Sequence, residues 1–557
     1  MTTLNPMLRG DDFLAETLAG YGLTHVFYME SVLRRTLAKL KERGVQGILC
    51  HSEKSAAYMA DGYARAGRKV GMCMAQSVGA ANLASGLQEA WLAKSPVVAL
   101  TGRKPSSQRY RNTYQEVNHW PLFEPVTKYN IAIESAAELP QALRQLFREA
   151  VTGVPGPVHI DMPNHQAALI ENGEIAHPVR IEKRFAKIPP FRSAPDAGDT
   201  AAALALLYKA QRPVIVAGGG TVAAQAHAEI QRLVETLRIP LAVSVDGKGI
   251  IPDNHPLHIG IMGGYGRSCT NALVAEADCI LFIGCSVCDQ TTKNWTLPGP
   301  DAVIIQIDSN GAELGRNYPN DASMLGDAAL SAACLADAAK GPHPSSAWVA
   351  RTAEAVSAWK EKLKVARRST ESPVKVERLC QIIEEFLPAD GVLVADTGFA
   401  SMWAACQIDL KNPGQRFIRA GGGSLGWAFP ASLGVKCALP DKPVVCFTGD
   451  GGLWYHFTEL ETAVRYNIPS ITVVNNNRAL GMCQHQITED RDLGAGKDWM
   501  YEFGATSFAE LATSLGALGI YVDKEQDIAS ALNKALASGR PALVEVITDV
   551  TSDPREV

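Results

Sequence analysis

One pattern occurs three times along the chain: short apolar runs alternate with stretches of helical periodicity. In the first block the apolar runs lie at 47–50, 70–74, 97–101 and 158–161, with a helical pattern over 55–65. The second block has runs at 212–220, 240–245, 279–284 and 303–308, and the third at 391–395, 443–448, 470–475 and 542–547. Such alternation predicts a parallel sheet with crossover helices in each block.

Two segments of different composition separate the blocks. Residues 180–195 are basic and then proline-rich, and a second linker begins at Gly341 and continues as a polar helix to about Arg368. A chain of 557 residues is long enough for three or four domains of roughly 150 residues. We therefore expect three doubly wound α/β domains at 1–180, 196–340 and 370–557. The first and third blocks are similar enough to suggest two domains of one type.

Composition limits which binding partners and which cellular compartment we expect for this protein. The net charge is −5 without a long basic tract, which argues against nucleic acid or an anionic membrane surface as a partner. No apolar run reaches the ~18 residues of a membrane helix, and residues 1–12 lack the apolar part of a secretory signal. The twelve cysteines are scattered, and the close pair Cys285 and Cys288 lacks a second pair for zinc. We expect a cytoplasmic protein with reduced thiols.

The strongest chemical signal lies at two consecutive strand ends of the third block. The run before Thr448 leads into Gly-Asp-Gly-Gly over 449–452, and the next run ends in three asparagines at 475–477. Ligands bind at the carboxyl ends of strands in open α/β sheets, so adjacent ends can place Asp450 beside Asn477. Carboxylate and amide oxygens suit Mg²⁺, and glycines let a backbone approach phosphates at a helix N-terminus. The pattern predicts a magnesium–diphosphate site rather than an aspartate-capped turn.

This motif resembles the signature of thiamine-diphosphate enzymes, most closely the acetolactate synthase-like decarboxylases and carboligases. The spacing of Asp450 and Asn477 matches that of the two side-chain metal ligands in the family. The resemblance implies Mg²⁺ bound by Asp450, Asn477 and the main-chain oxygen of Ala479, with Asn476 as an alternative register. It also implies cofactor contacts from Gly449, Gly451, Gly452, Leu480 and Gly481.

A glutamate in the first block completes the expected machinery. Glu53 precedes a helical pattern that ends in Asp-Gly-Tyr-Ala-Arg at residue 65, and it resembles the family's glutamate that bonds the aminopyrimidine ring. A carboxyl group among apolar neighbours is suited to sharing such a proton. Taken alone, Glu53 is a helix N-terminal charge favoured by the helix dipole. Together with the metal motif, the catalytic role is favoured.

Further matches follow in the family's order along the chain, which resembles acetolactate synthase over nearly its whole length. The loop over 76–82, the Tyr-Gln-Glu at 114–116 and the Gly-rich segment 421–430 each have a counterpart. The resemblance implies cofactor contacts from Ser77, Asn82, Gly398, Ser424 and Leu425. Candidates for handling substrate protons are Gln115, Glu30 and His119.

Several positions depart from the acetolactate synthase pattern. Residues 27–31 read Phe-Tyr-Met-Glu-Ser in place of Gly-x-Pro-Gly, so Glu30 either faces the reacting carbon or points to solvent. Phe399 and Ala400 replace a Gln-His pair, and Gln486 stands at an expected tryptophan.

The middle block resembles an FAD-binding domain at 262–266, yet Ser286 and Gln290 replace the expected arginines. That replacement argues against FAD. FAD itself, ADP, a CoA nucleotide or no ligand remain open for this domain.

These features predict a thiamine-diphosphate-dependent C–C lyase or ligase acting on a 2-keto acid or a related small carbonyl compound. The resemblance implies a homodimer or homotetramer in which Glu53 meets Asp450 of another subunit. A 2-hydroxyacyl-CoA lyase, an oxalyl-CoA decarboxylase and a 1,2-diketone hydrolase are alternatives within the cofactor class. A thiamine-binding homologue without catalytic activity is an alternative from a different function class. A nicotinamide oxidoreductase using Gly218–Gly220 is disfavoured because G-x-G-x-x-G is absent.

Overall fold

A computed structural model describes residues 7–556, apart from the side chains of His165 and Glu556. Within these residues three six-stranded parallel sheets carry the fold, and the short strands β1 (Leu8–Arg9) and β8 (Glu174–Ile175) pair antiparallel beside the first sheet. This arrangement confirms the predicted fold class of three α/β domains with parallel sheets. No described helix is both long and apolar enough to cross a bilayer. The division at 180, 196, 340 and 370 stays a prediction.

The strands of the three sheets follow one another along the chain. The first sheet contains β2 (His25–Tyr28), β3 (Gln46–Leu49), β4 (Gly71–Gln76), β5 (Val97–Arg103), β6 (Tyr129–Ala132) and β7 (Val158–Pro163). The second contains β9 (Pro213–Ala217), β10 (Leu241–Val243), β11 (His258–Ile261), β12 (Cys279–Ile283), β13 (Val303–Asp308) and β14 (Ala322–Leu325). The third contains β15 (Val392–Ala395), β16 (Arg416–Arg419), β17 (Val444–Gly449), β18 (Ile471–Asn476), β19 (Leu518–Val522) and β20 (Ala542–Ile547).

Strand order relates the first and third sheets. The first runs β3-β2-β4-β5-β7-β6 and the third β16-β15-β17-β18-β20-β19, which is the same order when strands are counted within each sheet. The expected likeness of the two blocks is therefore confirmed. The middle sheet runs β11-β10-β9-β12-β13-β14, the order of doubly wound nucleotide-binding folds.

Helices cover both faces of the sheets. In the first domain they are α1 (Gly10–Gly20), α2 (Arg34–Glu42), α3 (Glu53–Gly67), α4 (Gly79–Leu92), α5 (Trp120–Phe123), α6 (Leu139–Val151) and α7 (Ala168–Asn172). In the middle domain they are α8 (Ala197–Lys209), α9 (Gly219–Ala223), α10 (His227–Leu237), α11 (Ser268–Glu276), α12 (Asp289–Thr292) and α13 (Ala328–Ala338), followed by the linker helix α14 (Ser346–Arg367). In the third domain they are α15 (Val376–Phe386), α16 (Phe399–Gln407), α17 (Ala428–Ala438), α18 (Asp450–Trp454), α19 (Glu459–Arg465), α20 (Gly481–Glu489), α21 (Phe508–Ser514) and α22 (Glu525–Ala537).

Helices α3 and α17 join the first and third domains through direct backbone contact. A methyl group added at Gly62 would lie 2.2 Å from the Ala431 carbonyl oxygen, and one at Gly434 would lie 1.9 Å from the Met59 carbonyl oxygen. Beside this crossing, the Trp427 indole N–H donates to the buried carboxylate of Asp61 at 2.9 Å. The two helices share one apolar core, so the two domains are held in a single relative position.

We predict that Gly434→Ala separates this helix pair. The added methyl group meets backbone rather than a flexible side chain, so one helix must shift, as in overpacked cores that lose about 1–3 kcal/mol. The melting temperature should fall by several degrees. Gly311→Ala is the matched control, because its added methyl group lies 3.8 Å from the nearest atom. Equal melting temperatures for the two variants would contradict the tight contact.

Candidate active site

A cavity of about 760 Å³ opens at the carboxyl ends of the third sheet. Strands β17 and β18 are adjacent and parallel, and Gly449 lies opposite Asn475 in the register. The predicted site residues that line this cavity are Gly398, Leu425, Gly449, Asp450, Gly451, Gly452, Asn477, Ala479, Leu480 and Gly481. The adjacent strand ends therefore bring the two halves of the motif to one cavity, as the spacing predicted.

Asp450 is a buried carboxylate with one uncommitted oxygen. It is the first residue of α18, and its Oδ1 accepts a hydrogen bond from the Gly451 N–H at 2.7 Å. Its Oδ2 is buried and has no hydrogen-bond partner. Burial raises the pKa of Asp450 to about 7, although nearby backbone N–H groups lower it in part. A buried oxygen of this kind is costly unless a ligand contacts it.

The asparagine run presents one side chain to the cavity and turns another away. The Asn477 amide oxygen accepts from the Ala479 N–H at 3.2 Å, and both residues line the cavity. The Asn476 amide instead donates to the buried Glu545 carboxylate at 2.7 Å and does not line the cavity. Of the two registers considered from the sequence, the geometry favours Asn477 as the oxygen donor.

Three glycines form the floor of the cavity, and two of them leave no room for a side chain. A methyl group at Gly451 would lie 2.5 Å from a Leu480 methyl carbon, and one at Gly452 would lie 2.6 Å from Asp396 Oδ2. The position at Gly449 is open, with nothing within 4 Å of an added methyl group. The orphan carboxylate oxygen, the amide oxygen and this glycine floor fit a magnesium-bound diphosphate group.

Asp396 is a site residue that the sequence analysis missed. It follows β15 and accepts hydrogen bonds from the N–H groups of Thr397 at 2.8 Å and Gly426 at 3.1 Å, and from the Thr448 hydroxyl at 2.9 Å. Burial raises the pKa of Asp396 to about 6. It ties the carboxyl ends of β15 and β17 and the segment after β16 together at the cavity wall. Its place directly after an apolar run is the signal that singled out Asp450, and it could have been found in that way.

Glu89, also missed, anchors the Gly-rich segment from the first domain. Its buried carboxylate accepts from the Gly422 N–H at 2.7 Å and from the Ser424 N–H at 2.5 Å. Leu425, the next residue, lines the cavity. The Ser424 hydroxyl accepts from the Gln88 amide at 3.2 Å rather than lining the cavity. Helix α4 thus determines where Leu425 lies.

A second group of predicted residues lies together in the first domain, outside this cavity. The Asn82 amide donates to Glu53 Oε2 at 3.2 Å. Gly79 lies against the other oxygen, since a methyl group there would be 2.4 Å from Glu53 Oε1. Ser77, in the same turn, has a left-handed backbone with φ of +45°. The chain therefore presents two partial sites, one around Asp450 and one around Glu53.

The three candidates for proton handling differ in their surroundings. His119 is fully buried, with Nδ1 2.9 Å from Asp161 Oδ1 and Nε2 3.0 Å from the Ser77 carbonyl oxygen. Gln115 is half-buried in an irregular segment. Glu30 is exposed and forms an ion pair with Arg34, whose hydrogen bond lowers the pKa of Glu30. None of the three lines the cavity.

The cavity extends toward the middle domain, where its wall is acidic or neutral. The described middle-domain residues there are Asp246, Tyr265, Ser286, Cys288, Asp289 and Gln290. Arg419, the cationic residue among the described lining, is held by both Asp246 oxygens at 3.0 and 3.1 Å and by Gln290 at 2.6 Å. Among the described lining residues, no unpaired cation faces a dinucleotide pyrophosphate.

Comparison with known proteins agrees with this geometry. Three family models match: the N-terminal TPP binding domain of thiamine pyrophosphate enzymes over 8–122, the central domain over 200–335 and the C-terminal TPP binding domain over 396–546. A probable acetolactate synthase large subunit from Methanococcus aeolicus is 33% identical over 521 residues, covering 91% of this chain and 86% of that protein. The chain belongs to the acetolactate synthase-like thiamine pyrophosphate enzymes.

Other relatives cover this thiamine pyrophosphate enzyme almost end to end. A probable acetolactate synthase large subunit from Methanocaldococcus jannaschii is 32% identical, covering 97% of this chain and 92% of its own length. The acetolactate synthase isozyme 3 large subunit of Escherichia coli is 29% identical, covering 99% and 96%. The predicted family and the thiamine-dependent decarboxylase/carboligase class are thereby confirmed.

We predict that Glu89→Gln weakens cofactor binding by this thiamine pyrophosphate enzyme. A glutamine can accept only one of the two backbone hydrogen bonds and turns an N–H₂ group toward the other donor, so the loop bearing Leu425 moves. Losing one bond to a charged group costs about 1.4 kcal/mol or more, or roughly tenfold in dissociation constant. Calorimetric titration with thiamine diphosphate and Mg²⁺ measures the change. Glu16→Gln, on an exposed helix face, is the control that should bind normally.

Proposed function

We propose that this enzyme holds Mg²⁺ and thiamine diphosphate at the cavity of the third domain and acts on a 2-keto acid. The observation that carries the proposal is the buried, unpartnered Oδ2 of Asp450 beside Asn477 in a glycine-floored cavity. A carboxylate, an amide oxygen and the Ala479 carbonyl make an all-oxygen donor set suited to Mg²⁺. Such a set leaves coordination positions for phosphate oxygens and water.

Bound thiamine diphosphate supplies the electron sink that makes a carbonyl carbon nucleophilic. The role of Glu53 is to share a proton with the pyrimidine ring. Asn82 fixes one of its carboxylate oxygens by hydrogen bonding, while glycine at position 79 keeps side chains off the other. Leu425 supports the cofactor from the cavity wall. Glu89 fixes the position of Leu425, because it accepts a hydrogen bond from the backbone N–H of the preceding residue, Ser424.

We propose that two copies of the chain complete each site, as a homodimer or homotetramer. Glu53 and its neighbours do not line the cavity that contains Asp450, so a second subunit is needed to bring an acid to the cofactor. Large side chains that adjoin the two partial sites along the chain are exposed in one chain: Val78 beside Ser77, Trp91 and Leu92 at the end of α4, and Trp454 and Tyr455 at the end of α18. Apolar surface of this kind marks a protein–protein contact.

The relatives' name indicates which substrates to test first. Acetolactate is the adduct of two 2-keto acid molecules after loss of CO₂, so we propose pyruvate or a related 2-keto acid as donor and a second carbonyl compound as acceptor. Met482 lines the cavity and helps to shape its substrate end, and Gln486 follows it on the same helix α20. Gln115 and Glu30 lie outside the cavity of their own chain, so they would contribute to this end from the second subunit. We further propose that turnover requires no flavin, since Arg419 is already paired. The free cysteines support a reducing, cytoplasmic setting.

Two variants test the cofactor assignment. Asp450→Asn removes the charge that binds the metal, and we expect it to abolish calorimetric uptake of thiamine diphosphate with Mg²⁺. Glu53→Gln keeps the volume and the hydrogen-bonding capacity, so it should retain uptake but lose at least about 10²-fold in turnover of 2-keto acids. Removal of Mg²⁺ from the wild type with EDTA should likewise abolish the uptake of thiamine diphosphate.

The controls are chosen to separate the alternatives. Asp490→Asn, on an exposed segment after α20, should change neither uptake nor turnover. Full turnover by Glu53→Gln would reject its assigned role, and absence of uptake by metal-replete wild type would reject the cofactor. Turnover restricted to acyl-CoA substrates or diketones would replace the 2-keto acid assignment with one of those lyase or hydrolase activities.

The subunit arrangement has its own test. Val78→Glu places a charge beside the Ser77 turn, at a side chain that is half exposed in one chain, and should shift the protein toward monomer in sedimentation velocity. Activity should fall in parallel with the loss of the dimer. Leu536→Glu, on the outer face of α22 and exposed to a similar degree, should leave the association state unchanged. A monomeric wild type with full activity would exclude a shared site.

A further inference from the structure

His119 is buried in a polar network that no proposed catalytic step requires. Its side chain is 0% exposed. One ring nitrogen, Nδ1, lies 2.9 Å from Asp161 Oδ1 on β7, and the other, Nε2, lies 3.0 Å from the Ser77 carbonyl oxygen. Both nitrogens are therefore occupied, and no face of the ring is open to a substrate.

Both partners of the ring are acceptors. A carbonyl oxygen accepts only, and so does an ionised carboxylate. Asp161 accepts the Thr101 hydroxyl on Oδ1 at 2.7 Å and forms an ion pair with Arg103 on Oδ2 at 3.2 Å. Burial alone would raise the pKa of Asp161, yet its polar neighbours hold it below its ordinary value, so the carboxylate is ionised at neutral pH. A neutral imidazole has one N–H and can satisfy only one of these two contacts. The geometry therefore requires both ring nitrogens to carry hydrogen.

The surrounding groups place the extra proton on His119. Thr101 donates its hydroxyl to Asp161 Oδ1 at 2.7 Å, and its oxygen lies 2.7 Å from His159 Nε2. The other nitrogen of His159, Nδ1, lies 2.7 Å from the Asn130 side-chain oxygen, so this ring also has two oxygen neighbours. No carboxylate lies within hydrogen-bonding distance of His159 among the described contacts, and burial lowers its pKa to about 3, which keeps that ring neutral. Arg103 lies 3.2 Å from the other oxygen of Asp161. Among the described residues that contact the network, His119 is thus the histidine in hydrogen-bonding contact with an anion.

The Ser77 carbonyl belongs to the turn that lies against Glu53. Ser77 has a φ of +45°, a backbone conformation that costs a non-glycine residue about 1–3 kcal/mol and needs external support. The same carbonyl accepts a hydrogen bond at 3.0 Å from the N–H of Ala80, which lies in the first turn of α4. Two residues after Ser77, Gly79 lies against Glu53 Oε1, and Asn82 bonds Oε2. The hydrogen bonds therefore lead from Asp161 through His119 to the turn that positions Glu53.

We propose that His119 is a positioning residue: as a doubly protonated imidazolium anchored on Asp161, it holds the Ser77 turn in place against Glu53 and exchanges no proton with the substrate. This inference rests on the proposed role of Glu53 in activating the cofactor. It changes the expectation from sequence, in which His119 was a candidate for handling substrate protons.

The first test uses cofactor-free protein, so that it is independent of turnover. With selective ¹⁵N-histidine labelling, the resonance that disappears in His119→Gln should show two protonated ring nitrogens at neutral pH. Hydrogen exchange at the amides of 77–81 should accelerate about tenfold in His119→Gln, since one supporting hydrogen bond is lost. His177→Gln, at an exposed position, should leave that exchange unchanged.

The second test uses the loaded enzyme. Misplacement of Glu53 should lower kcat of His119→Gln by about 10²-fold with little change in the KM for substrate. Asp161→Asn should reproduce this loss, and the double variant should lose little more, because both residues act through one turn. A singly protonated ring in the wild type would overturn the proposal, even if Asp161→Asn failed to fold.

Two further outcomes are distinguishable. Loss of turnover in His119→Gln with unchanged exchange at 77–81 would assign His119 to proton handling and overturn the positioning role. Failure of the wild type to bind thiamine diphosphate would refute the proposed function, while the ring protonation and the exchange rates would still decide whether His119 supports the turn.

Discussion

The backbone contact between α3 and α17 is the interaction on which the rest of the structure depends. Because Gly62 and Gly434 have no side chains, the two helices approach more closely than any other residue would permit. Glu53 begins one helix, and the Gly-rich segment ending at Leu425 leads into the other. A single rigid pair therefore carries an element of each partial site. A shift of α3 would move Glu53, and a shift of α17 would move Leu425 in the cavity wall.

The buried carboxylates differ in whether their oxygens are satisfied. Glu89 and Asp396 accept backbone or hydroxyl hydrogen bonds on both oxygens, and they hold loops in place. Asp161 holds a histidine and a threonine. Asp450 has a buried Oδ2 without a hydrogen-bond partner, as Asp61 has at Oδ1, but of these two residues Asp450 is the one that lines the cavity. Since an unsatisfied buried oxygen is costly, its persistence is best explained by a ligand that supplies the missing contact.

The shared strand order of the outer sheets explains why the machinery divides into two parts. In the first sheet Glu53 follows β3 and Ser77 follows β4. In the third sheet the Gly-rich segment follows β16 and Asp450 follows β17. These are the second and third strands of each sheet in chain order. Each of the two domains thus uses the same two strand ends with different chemistry. In the first domain these ends carry Glu53 and the Ser77 turn, and in the third they carry the Leu425 segment and Asp450.

Sequence alone determined the interior of each sheet and the metal motif. Most buried central strands read as apolar runs, so their bounds were predicted within two residues except at the glycine turn after β9. Parallel neighbours necessarily bring Asp450 and Asn477 to one edge. The edge strands β6, β11, β14, β16 and β19 and the inner strand β2 were not among the predicted runs, because these short strands mix polar and apolar residues; the edge strand β3 was predicted. Only the tertiary structure decided that Asn476 faces Glu545, that Glu89 holds the Leu425 segment and that His119 bonds Ser77. These contacts join distant parts of the chain, and local patterns carry no information about which buried polar groups will meet.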